Sequence, residues 1–201
     1  MDIIKKLAQE LTIKEEQAKA AVQLIDEGNT IPFIARYRKE MTGALNDETL
    51  RNLHERLLYL RNLEEKKEQV INAITEQGKM TDDLKKKILA AETLVAVDDL
   101  YRPYRPKKQT RATKAKEKGL EPLANILLLQ ATSKSMEEEA QSFVDEAKGV
   151  TNAKEALAGA KDIIAEMIAD KADYRKSIRN CTMKQGRLVV KAKDEKAESV
   201  Y

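Results

Sequence analysis

The strongest chemical signal in the sequence is a basic segment, residues 102–118, which contains eight Lys or Arg side chains and one Glu. This segment carries a formal charge of +7, whereas the rest of the chain nets −4. Lysine and arginine at this density attract a phosphate backbone, because binding releases the counterions condensed on a nucleic acid. The residues predicted to contact phosphates are Arg102, Arg105, Lys107, Lys108, Arg111, Lys114, Lys116 and Lys118.

Two prolines and two tyrosines shape the expectation for this basic segment. Pro103 and Pro106 favour an extended chain, and Tyr101 and Tyr104 are candidates to stack on exposed bases. The alternative is an ordered connector whose charges are neutralised by the acidic remainder of the protein. Exposure of the cations on one face supports nucleic-acid contact, whereas pairing with Asp and Glu supports the connector.

The sequence offers no residues for a catalytic, metal or cofactor site. It has one histidine, His54, and one cysteine, Cys181, and it contains none of the usual phosphate-loop, dinucleotide, nucleophile-elbow or zinc motifs. His54 is expected to be a surface or helix-packing residue, and Cys181 a small semi-buried one. Asp98 and Asp99 are expected to order Arg102 or Arg105. We therefore expect a protein that is not an enzyme and has no small-molecule substrate.

Composition and periodicity predict an all-α fold, a multi-helix array organised around one long helix. The 201 residues are 35% charged and include only seven Gly and four Pro, too few turn signals for a β-sandwich or barrel. The long helix is predicted from about Glu48 to Gln77, with Leu50, Leu53, Leu57 and Leu60 among its buried residues and Leu58 widening the same stripe. Further helices are predicted over 3–10, from Thr12 to Gly28, from Thr30 to Lys39, and in the later chain over 135–148, 152–169 and 170–182. Residues 187–191 are the one weak strand signal.

Three parts are expected along the chain. They are a helix-turn-helix-like part over 1–45, a helical body over 46–186 that includes the long helix 48–77 and the basic segment, and the start of a connection to further domains over 187–201. In the first part, Ile31, Pro32, Phe33 and Ile34 are expected to enter a core, which disfavours sequence-specific DNA recognition. Arg36, Arg38 and Lys39 lie at the other end of that helix, where they form a second set of basic contacts for phosphate or for a protein carboxylate.

The chain contains three long motifs, which read GNTIPFIARYRKEMTGAL (28–45), LYLRNLEEKK (58–67) and DDLYRPYRPKKQTRATKAKEKGLEPLA (98–124). Together they resemble the N-terminal region of the bacterial Tex family of transcription accessory proteins. The resemblance implies a helical N-terminal region that is followed, in full-length members, by an RNase H-like domain, helix-hairpin-helix motifs and an S1 RNA-binding domain. It implies a role in transcription with RNA or DNA as partner, and it provides no catalytic residue.

The sequence therefore predicts a cytoplasmic, helical, transcription-associated chain that binds RNA or DNA, weakly when alone, and that supports other domains. The alternative is a protein-docking module for the transcription machinery or for the protein's own downstream domains, with no nucleic-acid binding by itself. No membrane partner is expected, because no apolar run is long enough to span a bilayer.

Overall fold

The computed structural model describes residues 2–191, and these form eleven α-helices, two short 3-10 turns and no β-strand. The predicted all-α fold is confirmed. The chain divides into two compact units, residues 1–104 and residues 105–201. The basic segment extends across this division.

The first unit is built on the long helix. Its helices are α1 (Ile3–Leu11), α2 (Glu15–Asp26), α3 (Ile31–Tyr37), α4 (Asp47–Glu76), α5 (Asp82–Ala90) and α6 (Leu94–Tyr101). Every other helix of this unit packs against α4. Asn46 caps α4 by accepting a hydrogen bond from the Thr49 amide at 2.7 Å, so the predicted helix is confirmed within one residue at each end.

Two groups of buried side chains lie along α4. Leu50, Leu53, Leu57 and Leu60 join residues of α1, α2 and α3 in the first cluster, whereas Leu63, Val70 and Ile74 join α5 and α6 in the second. The prediction that Leu58 belongs to this stripe is wrong, because its side chain is 53% exposed.

The second unit is organised by a different helix. Its helices are α7 (Arg111–Glu117), α8 (Glu121–Leu129), α9 (Met136–Gln141), α10 (Ala153–Ala169) and α11 (Ala172–Gln185). Helices α7, α8, α9 and α11 all pack against α10, so α10 takes the place here that α4 has in the first unit. Asn152 caps α10 by accepting from the Glu155 amide, as the sequence predicts.

Local details correct several sequence-based predictions. Thr12 does not open a second helix; it ends α1 with φ 55°, and α2 begins after Lys14, whose amide donates to Gln17 Oε1. The helix predicted over 135–148 ends at Gln141, after which Asp145 and Val150 form an isolated bridge. Residues 187–191 adopt no regular structure, and the remainder of the predicted connection, residues 192–201, lies outside the described residues.

Candidate nucleic-acid interface

The basic segment is not extended throughout, because its second half is a helix. Residues 102–104 form a 3-10 turn, and Arg111–Glu117 form α7. Thr110 caps α7 by accepting from the Thr113 amide at 3.0 Å, and its hydroxyl donates to Glu166 Oε1 at 3.0 Å. Helix α7 buries Ala112 and Ala115, and the chain reverses at Gly119, where φ is +81°. The expectation that the basic segment is extended is therefore wrong for residues 111–117.

The two predicted stacking tyrosines belong to the core of the first unit. Tyr101 and Tyr104 are half-buried and pack against the second cluster along α4. The carbonyl of Tyr104 also accepts a hydrogen bond from Gln77 Nε2 at 2.9 Å. Packing against this cluster covers part of each ring, and stacking of Tyr101 or Tyr104 on a base stays a prediction.

Lys107 is held within the second unit by two carboxylates. Its ammonium pairs with Asp170 and lies 3.2 Å from Glu166 Oε2. Partial burial lowers the pKa of the Lys107 ammonium, but its hydrogen bonds to Asp170 and Glu166 outweigh that effect, and the pKa lies above its ordinary value. Lys107 therefore fastens the segment to the end of α10.

Three further cations have partners that lie at the surface. Arg111 Nη2 is 3.3 Å from Asp162 Oδ1 although the Arg111 side chain is 87% exposed, and Lys116 Nζ is 3.5 Å from Glu121 Oε1. Lys118 Nζ donates to the carbonyl of Gly149 at 2.7 Å. Exposed ion pairs contribute about 0–1 kcal/mol, so a phosphate can replace such a partner at low cost.

The remaining cations of the segment are exposed. Lys108 and Lys114 make no ion pair or hydrogen bond with any residue that the structure describes. Arg102 and Arg105 are exposed but have interactions of their own. The ordering of these two arginines by Asp98 or Asp99 stays a prediction; Asp98 lies 3.8 Å from Lys66 Nζ, and Asp99 is buried.

Helix geometry gathers part of this charge. Arg111, Lys114 and Lys118 are spaced i, i+3 and i+7, so they lie along one side of α7 and its cap. Lys108 precedes this helix by three residues. We refer to Lys108, Arg111, Lys114 and Lys118 as the α7 basic surface.

The second predicted basic set lies where α3 ends. Arg36, Arg38 and Lys39 are exposed and have no ion pair with a carboxylate among residues 2–191. A shallow depression is lined by residues 36–41. Ile34 is fully buried, but Phe33 is 36% exposed and Pro32 is also exposed, so the expectation that all of 31–34 enter a core is wrong for these two.

Candidate catalytic and metal-binding residues do not converge. Within the part of the chain that the structure describes, no three His, Cys, Asp or Glu side chains form a group that could hold a metal ion. His54 is half-buried on α4. Cys181 is exposed on α11, so the expectation of a semi-buried residue is wrong. Among the described helices, none combines the length and the apolar character that crossing a bilayer demands.

Family models match both ends of the chain. Residues 1–75 match the Tex-like protein N-terminal domain, and residues 131–200 match the Tex central region-like family. The chain is 44% identical over 201 residues to the transcriptional accessory protein Tex of Neisseria gonorrhoeae, a match covering 98% of this chain and 26% of that protein. This chain belongs to the Tex family. The resemblance stated from the motifs is confirmed.

Two further relatives are also similar to this chain over most of its length. The protein tex of Bordetella pertussis is 46% identical over 189 residues, covering 94% of this chain and 24% of the relative. The human S1 RNA-binding domain-containing protein 1 is 32% identical over 186 residues, covering 92% of this chain and 18% of the relative. This chain spans about a quarter of the length of its bacterial relatives. The α3 residues lie within the matched Tex N-terminal domain, whereas the α7 basic surface lies between the two matched regions.

Proposed function

We propose that this chain is a helical support in a transcription-associated protein and that its α7 basic surface contacts the phosphates of RNA or DNA. The observation that carries the proposal is the arrangement of Arg111, Lys114 and Lys118 along one exposed side of α7, with Lys108 just before it. The names of two relatives, one a transcriptional accessory protein and one containing an S1 RNA-binding domain, support the same class of partner.

The surface suits phosphates and offers little for sequence recognition. Its cations stand on a helix of seven residues that also buries Ala112 and Ala115. Contacts to phosphate fix the position of a bound strand without distinguishing bases, since sequence is recognised at base edges. We therefore expect binding that is weak, strongly dependent on salt and tolerant of sequence. The proposal is one of binding and contains no catalytic step.

The salt dependence of affinity tests the proposal quantitatively. For duplex DNA the slope of log K against log salt is about −0.9 for each phosphate neutralised, so four cations give a slope of about −3.6. The variant Lys108→Gln/Lys114→Gln removes the two cations that have no partner in the described chain, and we expect its slope to be shallower by about 1.8. Fluorescence anisotropy with a labelled duplex and a labelled single strand, at salt between about 50 and 200 mM, measures both slopes.

A matched control lies on α5 of the first unit. Lys85 and Lys86 are also exposed and unpaired within residues 2–191, so Lys85→Gln/Lys86→Gln makes the same change in net charge elsewhere. The control is expected to leave the slope within about 0.5 of the unsubstituted chain, because charges that contact no phosphate release no counterions. Equal slopes for the two double variants, or no binding by the unsubstituted chain, would contradict the proposal.

A further inference from the structure

A second surface of the chain combines exposed aromatic rings with cations. We call it the α3 surface, and it consists of Phe33, Arg36, Tyr37, Arg38 and Lys39. The Phe33 and Tyr37 rings contact each other with centroids 5.2 Å apart at an angle of 46°, and the Arg38 guanidinium carbon lies 5.3 Å from the Phe33 centroid. Tyr37 is 61% exposed, which makes it the most open ring of the group.

The helical spacing of these two rings places them side by side at the surface. Ile34 is fully buried against the first cluster along α4. Phe33 and Tyr37 are spaced i, i+4, so their side chains are neighbours on the helix, and both are exposed. Large apolar side chains that are gathered at a surface and bordered by charge are typical of binding sites.

The turn after α3 holds the cations in place. Gln17 Nε2 donates to the carbonyls of Thr42 and Gly43 at 3.2 and 3.0 Å, and the buried Thr42 hydroxyl donates to the carbonyl of Arg38 at 3.2 Å. Gly43 itself has φ +60°, a conformation that glycine adopts without strain. The backbone that presents Arg38 and Lys39 is thus fixed by three hydrogen bonds before any partner arrives.

The chemistry of this surface fits unpaired bases better than a duplex or a protein. A flat ring beside a planar guanidinium offers faces on which a base stacks, and a base exposes its face only when it is unpaired. Arg36, Arg38 and Lys39 lie close enough in sequence to contact the phosphates of the same strand. The charge at the end of α3 complements a polyanion, since residues 36–46 carry three basic side chains against the single acidic side chain of Glu40.

From these observations we infer that the α3 surface binds single-stranded nucleic acid, with a base stacked on Tyr37 beside Phe33 and with phosphates held by Arg36, Arg38 and Lys39. This inference goes beyond the proposed function, because it names the class of nucleic acid and a set of residues in the other unit. It stands independently of the α7 basic surface.

The test compares two strands that carry the same phosphates. One is a labelled oligouridylate, and the other has the same length and abasic sites in place of the bases. Stacking predicts that the base-bearing strand binds the unsubstituted chain at least about fivefold more tightly than the abasic strand. Tyr37→Ala is expected to abolish this difference, whereas Tyr37→Phe is expected to retain it, because the ring and not the hydroxyl supplies the stacking face.

Two controls separate stacking from a general loss of apolar surface or of folding. Leu58→Ala removes an exposed apolar side chain from α4 in the same unit and is expected to leave the ratio unchanged. Thermal melting followed by circular dichroism is expected to be the same for Tyr37→Ala and the unsubstituted chain, since the ring is mostly exposed. A change in melting would move the test to Tyr37→Leu, which keeps apolar contact and loses the aromatic face.

The outcomes distinguish this inference from the proposed function. Equal affinity for the two strands overturns stacking at the α3 surface, even when Lys108→Gln/Lys114→Gln still reduces the salt slope. A fivefold preference for bases that Tyr37→Ala abolishes supports the inference, even when the α7 variant has no effect. Binding of an acidic peptide that requires Arg36 and Arg38, with no binding of either strand, would show a protein-docking surface and overturn the inference.

Discussion

Lys67 is the one buried basic side chain among the described residues, and its substitution tests how α4 holds the first unit together. The residue is 3% exposed and lies on α4 between the buried positions Leu63 and Val70. Its ammonium donates to the carbonyl of Leu89 and to Glu64 Oε1, each at 2.9 Å. Leu89 is in the last turn of α5, where helix geometry leaves carbonyls without a partner.

Two contributions raise the free-energy cost of Lys67→Ala, and a third lowers it. Removing three buried methylenes costs about 2.4 kcal/mol, and leaving the Leu89 carbonyl without its donor costs about 1–3 kcal/mol. Alanine has no side-chain rotamers to lose on folding, so the substitution recovers about 2 kcal/mol of the conformational entropy that ordering the lysine side chain costs. We expect Lys67→Ala to destabilise the first unit by about 1–3 kcal/mol.

Lys67→Met separates the packed stem from the charge. Methionine keeps a similar apolar volume, and replacing a buried ion pair by a well-packed apolar group is often close to neutral. Methionine leaves the Leu89 carbonyl without its donor, as alanine does, but it fills the space that alanine leaves as a cavity, so we expect Lys67→Met to be more stable than Lys67→Ala, since Met→Ala changes at buried sites cost about 2–5 kcal/mol.

Native-state hydrogen exchange measures these differences in the unit where they occur. Peptides from α4 and α5 are expected to exchange faster in Lys67→Ala than in Lys67→Met, whereas peptides from α10, in the second unit, serve as the internal control and are expected to be unchanged. Equal acceleration in the two variants would refute the reasoning, because it would place the stabilisation in the ammonium and not in the stem. No acceleration in Lys67→Ala would refute the burial itself.

Two further predictions concern the Glu10–Arg56 ion pair at low pH and the close packing around Gly159. The Arg56 guanidinium donates to both oxygens of Glu10 at 2.5 and 2.9 Å and lowers the pKa of that carboxyl below its ordinary value of 4.5. The stabilisation that this ion pair contributes is therefore present above pH about 4.5 and is lost as pH falls through the lower pKa of Glu10 in the folded chain. The free energies of unfolding of the unsubstituted chain and Glu10→Gln, followed by thermal melting, are expected to differ by less than about 1 kcal/mol at pH 7 and to become closer as pH falls below about 4.5, and a constant difference would contradict the assignment. In α10, a Cβ at Gly159 would overlap Leu120 Cδ1 and lie 3.2 Å from Ala115 Cβ. Gly159→Ala is expected to destabilise the second unit by up to about 2 kcal/mol, since overpacking exceeds the gain of about 1 kcal/mol in helix propensity; a higher melting temperature would show that Leu120 moves freely.

Helix ends were the most predictable part of the fold, because their signals are local. Asp2, Asn46, Thr81 and Asn152 each accept from an amide three residues later, as the sequence indicates. Thr12 misled the prediction, since the same residue type serves here as a left-handed end of α1. A short polar residue fits either role, and only packing of the two helices decides between them.

The candidate site was harder to predict, because tertiary contacts decide which charges are available. Helix α7 has seven residues, too few to be stable alone, and it exists because Ala112 and Ala115 pack against α10. Gly119 was the available signal for its end. Lys107 lies in the same run as Lys108 and Lys114, yet it is held by Asp170, a residue 63 positions away. Charge density in the sequence cannot separate these three lysines.

The α3 surface shows the same limit for apolar residues. Phe33 and Ile34 are adjacent in a motif that was expected to enter a core, but successive residues of a helix point about 100° apart, and only Ile34 is buried. A helix of seven residues is too short for periodicity to assign its buried side. The exposure of Phe33 and Tyr37 is therefore information that only the structure provides.

Chemical-shift mapping tests nucleic-acid binding at the two surfaces most directly, because it reports where a strand binds without substituting any residue. The measurement follows backbone amide signals of the 15N-labelled chain as a short single-stranded RNA is added at low salt. If the α3 surface and the α7 basic surface bind the strand, the largest changes occur at residues 33–39 and 108–118, and they diminish as salt is raised. Changes confined to other helices, such as α5 with its exposed Lys85 and Lys86, or the absence of any change, would contradict binding at these two surfaces.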